Sequence, residues 1–481
     1  MRARRAPGLR IDAHPVLPAP APLAVSFEFE GRRLEGRPGE AISSALIASG
    51  YSVLGRSMKY HRPRGLTCFA SACPNCAMNV DGIPGVLACG TPLRGGEVVG
   101  RERAWPRAEF DALGLLDRLS WLLPAGFQFR WFAHRPRLSH AAHAVMGRVA
   151  GGGRLPTRAA AAAARRGLRG HHPVDVAVVG GGAAGLAAAL AAAEGGAGVV
   201  LVEKCGRLGG SLLQETRMLE HAGVPAVRAC VLAEQLAAQA LAHPRILTLP
   251  SAVALGWYEG NVLPVDTGDG VLAVAARRIV VATGTYEEPI PFENCDRPGI
   301  MFASAAQRLI NVDRVRPGHR AIVVTREAYG YVVAAQLRGV GVEVAAVIDS
   351  RDHSTAHADR ERFGVEAAVH ADSHPLRAHG GRRVRALTVR SAANPARTRR
   401  LSCDTVVLAG GRRPADEIGL QVSYAGSILL EPVGGLGDLD GSGERGTLEG
   451  VWLAGGAAGA QTLEEAVLDG AARGRVAGAE L

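Results

Sequence analysis

Val174-Asp-Val-Ala-Val-Val-Gly180-Gly-Gly182-Ala-Ala-Gly185-Leu, continuing to Glu203-Lys-Cys-Gly-Arg-Leu-Gly-Gly210, decides how the rest of the chain folds. Val174–Val179 is apolar except for Asp175, the composition of a buried parallel strand. It breaks at Gly180, Gly182 and Gly185 and runs into an Ala/Leu helix over Ala187–Glu194. A second β-branched run, Val199–Val202, ends at Glu203. This is a βαβ unit with G-x-G-x-x-G between two strands and an acid about 20 residues on, the pattern of a dinucleotide site. Gly180 permits the tight turn, Gly182 lets a pyrophosphate approach the backbone, and Gly185 lets helix pack on strand. Ala183 and Ala184 open the helix whose N-terminus faces the phosphates, and Glu203, followed by Lys204, offers a carboxylate to a ribose.

With 481 residues the chain has room for two to four domains, and 47% hydrophobic content is ample for their cores. No apolar run is long enough to span a bilayer, so no membrane segment is expected. Met1–Arg10 is Arg-rich without a following apolar stretch, which argues against a secretory signal and for a cytoplasmic protein. The net charge of +10 comes from scattered Arg without interleaved aromatics, so nucleic acid is a poor partner. Four of the eight cysteines fall within residues 68–89, which favours a metal centre over disulfides.

Those four are Cys68, Cys73, Cys76 and, after twelve intervening residues, Cys89. C-x4-C-x2-C followed by a distant Cys is the plant-type [2Fe–2S] spacing. Three thiolates come from one loop, and the fourth is expected from a following strand. A four-cysteine zinc site competes, but zinc ribbons show two CxxC knuckles and this chain has one. Around the loop, Val25-Ser-Phe-Glu-Phe-Glu alternates as a strand, Gly31-Arg32-Arg33 reads as a hairpin turn, and Glu40–Ser49 reads as a helix. Residues 1–23 are expected to form an extended arm, 24–102 a [2Fe–2S] ferredoxin-like domain of β-grasp type, and 103–172 a helical connector and linker. Cys205, Cys230, Cys295 and Cys403 are isolated and read as small buried residues.

Further on, Arg278-Ile-Val-Val-Ala-Thr283-Gly284 is a strand entering Thr-Gly, where the first dinucleotide domain passes its cofactor again. Ala321-Ile-Val-Val-Thr-Arg-Glu-Ala-Tyr-Gly330 begins a second βαβ unit whose next strand closes on Asp349. Thr325 and Glu327 replace its first two glycines, and only Gly330 remains. A fold retained with NAD(P)H binding lost is expected. Cys403–Pro414 reads as the return to the first domain, and Thr447–Gly456 as its late strand. The fold class is therefore α/β: a ferredoxin-like domain followed by two Rossmann-like domains, with 173–297 and 403–481 forming the first and 298–402 the second, degenerate one.

Tyr60-His61-Arg62-Pro63-Arg64-Gly65 before the cysteines, Leu123-Pro-Ala-Gly-Phe127, Tyr286-Glu-Glu-Pro-Ile-Pro-Phe292 and Asp296-Arg-Pro-Gly-Ile-Met301 resemble the α subunits of heteromeric sarcosine oxidase. Relatives keeping the four cysteines are hydrogen cyanide synthase and the opine and hydroxyproline dehydrogenases. The resemblance implies a short form without the folate-binding domain, with Cys68, Cys73, Cys76 and Cys89 ligating [2Fe–2S]. Gly209-Gly210-Ser211 resembles the loop that closes over the cofactor in two-dinucleotide-domain flavoproteins of the pyridine nucleotide-disulfide reductase type. In these the strand ending here at Gly455-Gly456 ends Gly-Asp, and the Asp binds the flavin ribityl chain. Gly456 in its place favours NAD, with FAD the alternative. The resemblance further implies an FMN shared at the interface with a partner, an FAD-binding β subunit of the D-amino-acid-oxidase-like class, and a further small subunit. No residue has the setting of a catalytic base, so an electron-relay subunit of an amine dehydrogenase is expected. A self-sufficient NAD(P)H-dependent FAD/[2Fe–2S] oxidoreductase is the second possibility.

Overall fold

The structure, a computed structural model, describes residues 8–102, 104, 111–118, 126, 131, 134, 136–149, 167–221, 224–429, 446–447 and 450–479. The chain divides into two units, Met1–Ala160 with Glu287–Gly411, and Ala161–Tyr286 with Arg412–Leu481.

In the first unit, residues 25–100 form a five-stranded sheet in the order Arg32–Gly36, Val25–Phe29, Val98–Gly100, Ala77–Val80, Ile83–Leu87. Val25–Phe29 and Val98–Gly100 run parallel, and the other neighbours are antiparallel. Helix Ile42–Ala48 buries Ile42, Ala45, Leu46 and Ile47, the β-grasp arrangement. A second sheet is parallel throughout, in the order Ile300–Phe302, Thr405–Ala409, Arg320–Thr325, Glu343–Asp349, Ala368–His370. One continuous core runs through both sheets, from Phe29, Leu46 and Met78 to Leu309, Tyr331 and Val347.

The expected arm laces these two parts together. Ile11 donates its backbone N–H to the Arg314 carbonyl at 2.8 Å, and Arg316 donates to that of Leu9 at 2.7 Å. Arg10 forms a two-pronged ion pair with Glu40, whose burial raises its pKa against the pull of the guanidinium.

The second unit is built on a larger sheet in the order Ile246–Pro250, Val199–Glu203, Leu168–Val179, Val271–Val281, Val262–Asp266, Val253–Ala254, with Val451–Leu453 also paired to Val271–Val281. Helix Ala183–Glu194 is buried from Ala183 to Ala193, because it lies between the sheet and helix Leu463–Gly478. Gly470, Gly474 and Gly478 of that helix face Ala184, Ala188 and Ala192, so the two backbones touch. A Cβ on Gly474 would stand 2.6 Å from Ala188 Cα.

Two expected boundaries move. The strand expected from Val174 begins at Leu168, because Leu168–Pro173 pairs with Val271–Ala275; Gly170 and Pro173 hide a strand whose partner is distant in sequence. The return to the first dinucleotide domain comes at Arg412, not 403. Thr405–Ala409 is an inner strand of the other sheet, and an apolar run buried on both faces reads alike in either. Residues 287–297 likewise group with the first unit. Most of the connector, including residues 123–125, 127 and 151–166, lies outside the described residues. No described helix is long and apolar enough to cross a membrane.

Candidate functional site

The four clustered cysteines converge. Cys68, Cys76 and Cys89 are buried and Cys73 is half-buried. Hydrogen bonds from the Cys73 and Cys89 thiols hold the Cys68 thiol far below its ordinary range. The contact with Cys68, with burial added, pushes Cys73 up, and contacts with Cys68 and Cys76 do the same to Cys89. The hydrogen bond from Cys89 lowers Cys76. The sulfurs thus meet pairwise, with Cys68 and Cys76 favoured as thiolates. Among the described residues, no group of three or more His, Cys, Asp or Glu is arranged around a single metal ion.

The loop reaches this form through unusual backbone. Phe69 and Ser71 have φ of 48° and 54°, which is strained for a bulky residue such as Phe. In return Ala70 N–H lies 3.5 Å from Cys68 Sγ, and Ser71 Oγ lies 3.8 Å from Cys89 Sγ. Cys89 sits in the turn just after strand Ile83–Leu87, not on a strand as expected. Upstream, His61 is buried and shares a 2.9 Å hydrogen bond with Asp111, a structural role.

At the C-terminal edge of the large sheet, the ends of four strands bring together the other predicted residues. Gly180 has φ 109°, and a Cβ there would collide with the Ala282 carbonyl. A Cβ on Gly185 would overlap the Gly180 carbonyl. Gly182 is different: its φ is −84°, and a Cβ would find only Gly210 Cα, 3.9 Å away. Nothing inside the protein demands glycine at 182, so the open space before it is a cradle that a ligand backbone-close to the helix N-terminus can use. Gly182 caps helix Ala183–Glu194, and its first turn begins with Ala183 and Ala184.

Glu203 is buried and accepts 2.7 Å hydrogen bonds from Gly181 N–H and Cys205 N–H, one on each oxygen. Each oxygen keeps acceptor capacity for a hydroxyl. Lys204 is exposed. Gly209, at φ 118°, donates its N–H to the Gly181 carbonyl at 2.7 Å, and Gly210 presses on Gly182, where a Cβ would come within 2.8 Å of its Cα. Ser211 follows, exposed, so the loop does close over the turn. Thr283 donates its hydroxyl to the Ala415 carbonyl, and the Gly284 carbonyl accepts from Ala415 N–H at 3.0 Å. Gly455 donates its N–H to Asp469 at 2.7 Å. A Cβ on Gly456 would stand 2.8 Å from the Thr285 methyl, so a carboxylate-bearing side chain has no room there as the backbone stands. Asp469 and the Gly470–Gly474–Gly478 spacing were not read from sequence, although the latter is visible as a four-residue repeat.

The second dinucleotide-like turn is filled by its own side chains. Thr325 donates its hydroxyl to the Glu327 carbonyl at 2.6 Å and accepts from Glu327 N–H at 3.0 Å. A Cβ on Gly330 would lie 2.5 Å from Thr325 Cβ. The Glu327 carboxylate places a buried oxygen without a hydrogen-bond partner where phosphate would approach. Asp349, fully buried, accepts from Tyr331 at 2.9 Å and from Arg351 Nη2 at 2.7 Å, and Arg351 also meets Asp359 at 2.9 Å. Burial would lower the Arg351 pKa, but the two carboxylates outweigh it and hold the group above its usual range.

Comparison with known proteins gives the same division. The 2Fe-2S iron-sulfur cluster binding domain family matches residues 23–104, and the pyridine nucleotide-disulphide oxidoreductase family matches residues 174–470. The α subunit of sarcosine oxidase from Rhizobium meliloti (strain 1021) is 31% identical over 472 residues, 93% of this chain and 45% of that protein. An opine oxidase subunit from Agrobacterium tumefaciens (strain Ach5) is 30% identical over 90 residues, 19% of this chain and 18% of that one. The chain spans less than half the length of the sarcosine oxidase subunits it matches, 45% in one and 39% in another. Among solved structures, L-proline dehydrogenase from P. horikoshii superposes with a TM-score of 0.61 at 22% identity, covering 96% of this chain and 75% of that one, a likeness of fold. The chain belongs to the pyridine nucleotide-disulphide oxidoreductase family, carries a 2Fe–2S cluster binding domain ahead of its dinucleotide-binding region, and is a homologue of sarcosine oxidase α subunits.

Proposed function

We propose that this chain is the iron–sulfur, nucleotide-binding subunit of a flavin-dependent dehydrogenase acting on secondary amines or amino acids of the proline or opine type. Amine oxidation is assigned to a partner, an FAD-binding β subunit, with FMN held between the two. The relatives named above are themselves subunits, which supports a partnered enzyme. This chain's part is to hold the relay and a resident nucleotide.

The observation that carries the proposal is the pairwise meeting of Cys68, Cys73, Cys76 and Cys89. Two irons, each taking two thiolates, match that pairing, and a [2Fe–2S] centre supplies one-electron transfer when bound. Ala70 N–H, directed at Cys68, stabilises negative charge on that sulfur. In the other unit Gly182 admits the pyrophosphate and Glu203 orients a ribose, while the crowded Gly456 favours NAD over FAD as the nucleotide. The filled second turn supports a chain that does not collect electrons from NAD(P)H by itself.

The test is reduction of the purified complex by candidate amines, followed by cluster EPR. An EPR signal that develops with L-proline or an opine, and not with NADH, is the expected result. A signal generated by NADH alone would refute the proposal.

A further inference from the structure

We propose that Arg308, on helix Ala303–Asn311 of the second dinucleotide-like domain, is an electrostatic positioning residue for the cluster: its guanidinium fastens the loop carrying Cys68 and raises the potential at which the cluster takes up an electron. The proposal rests on the assignment of [2Fe–2S] to Cys68, Cys73, Cys76 and Cys89.

Cys68 is pinned on both sides by one strand–helix unit. On its N-terminal side, the Thr67 carbonyl accepts the backbone N–H of Phe302 at 2.9 Å. On its C-terminal side, the Phe69 ring carries the Arg308 guanidinium 4.7 Å from its centroid. Phe69 is 2% exposed and has a left-handed φ of 48°, a conformation that persists only where the surroundings impose it. A cation stacked on a buried ring is such a constraint, and desolvation strengthens it. Closer to the chain entry, a Cβ on Gly65 would stand 2.9 Å from Pro298 Cα, so this seam is tight along its length.

The charge has a second consequence. Reduction adds an electron to a group already bound by four thiolates, and burial and nearby charge are among the terms that set the potential of such clusters. A guanidinium held one residue from a ligand, in partly buried surroundings, favours the reduced state more than it would in water. Helix Ala303–Asn311 sits in a domain whose nucleotide turn is filled by Thr325 and whose ribose acid is bound by Tyr331 and Arg351. That domain therefore keeps a use after losing its ligand: it is the platform against which the cluster loop is built.

The experiment is an EPR-monitored redox titration of the full-length holoprotein and its Arg308→Gln, Arg308→Met and Arg308→Lys variants, with iron assayed in each. Gln and Met should disfavour reduction about tenfold, a midpoint lower by ~59 mV for one electron, while Lys stays near the parent value. Wild-type midpoints in Gln and Met with full iron would overturn the proposal, and so would Lys shifting as far as Gln. Loss of iron from all three variants alike would reduce Arg308 to a packing residue and overturn it too. A parent protein without any cluster signal would instead overturn the underlying cluster assignment.

Discussion

Tyr331 donates its hydroxyl to the Asp349 carboxylate at 2.9 Å, at the strand end where a working dinucleotide domain would present that acid to a ribose. Arg351 holds the same carboxylate, so two side chains of the protein stand in for the ligand. With Glu327 added at the phosphate position, the second domain should ignore NADH. In a Gly182→Val background, where the first cradle is blocked, calorimetric titration with NADH should give no binding heat. Adding Glu327→Gly should not change this, because Asp349 stays engaged. A micromolar isotherm in either protein would contradict the account.

Gly182 and Gly185 should separate ligand binding from folding. Gly182→Ala places a methyl in open space, so unfolding stability should stay within about 0.5 kcal/mol of the parent, as for a change away from packed features. Its nucleotide content should nevertheless fall. Gly185→Ala drives the methyl into the Gly180 carbonyl and should cost about 1–3 kcal/mol or more. Urea unfolding and mass analysis of released nucleotide would measure both.

The helix seam of the nucleotide unit should be equally intolerant. Gly474→Ala would set a methyl 2.6 Å from Ala188 Cα, and backbone cannot step aside as a side chain can. A loss of about 1–3 kcal/mol is expected by urea unfolding. Gly459→Ala is a useful contrast for crowding, because no atom lies within 4 Å of a Cβ there, and its cost should come from the positive φ of 98° alone.

Removing one cluster thiol should divide the two halves of the activity. Cys73→Ser should abolish the visible absorption and EPR signal of the cluster and slow delivery of electrons to an external acceptor. Single-turnover amine oxidation in the complex should persist. Loss of that step in stopped-flow measurements would reject a pure relay role.

Local spacing made much of this site legible. Gly180, Gly182, Gly185 and Glu203 act through a turn and a helix start only a few residues wide, and the four cysteines announce themselves by separation along the chain. Long-range pairing was not legible. Leu168–Pro173 is a strand only because Val271–Ala275 lies beside it, and Thr405–Ala409 carries no mark of which sheet it joins. The plug at Asp349 and the stacking of Arg308 on Phe69 depend on side chains meeting across elements, 18 residues apart in one case and in separate domains in the other. The arm of residues 8–23 read as extended, but its role in tying two sheets together needed the partners Arg314 and Glu40.

The central claim is a binuclear cluster and a non-flavin dinucleotide on one chain, and cofactor analysis of the purified protein tests it most directly. Iron and acid-labile sulfide would be assayed, and nucleotides released by acid identified by mass, in the chain alone and in complex with its flavoprotein partner. The account predicts two irons and two sulfides with NAD in the isolated chain, and FMN only in the complex. Stoichiometric FAD in the isolated chain, bleached by NADH, would contradict it.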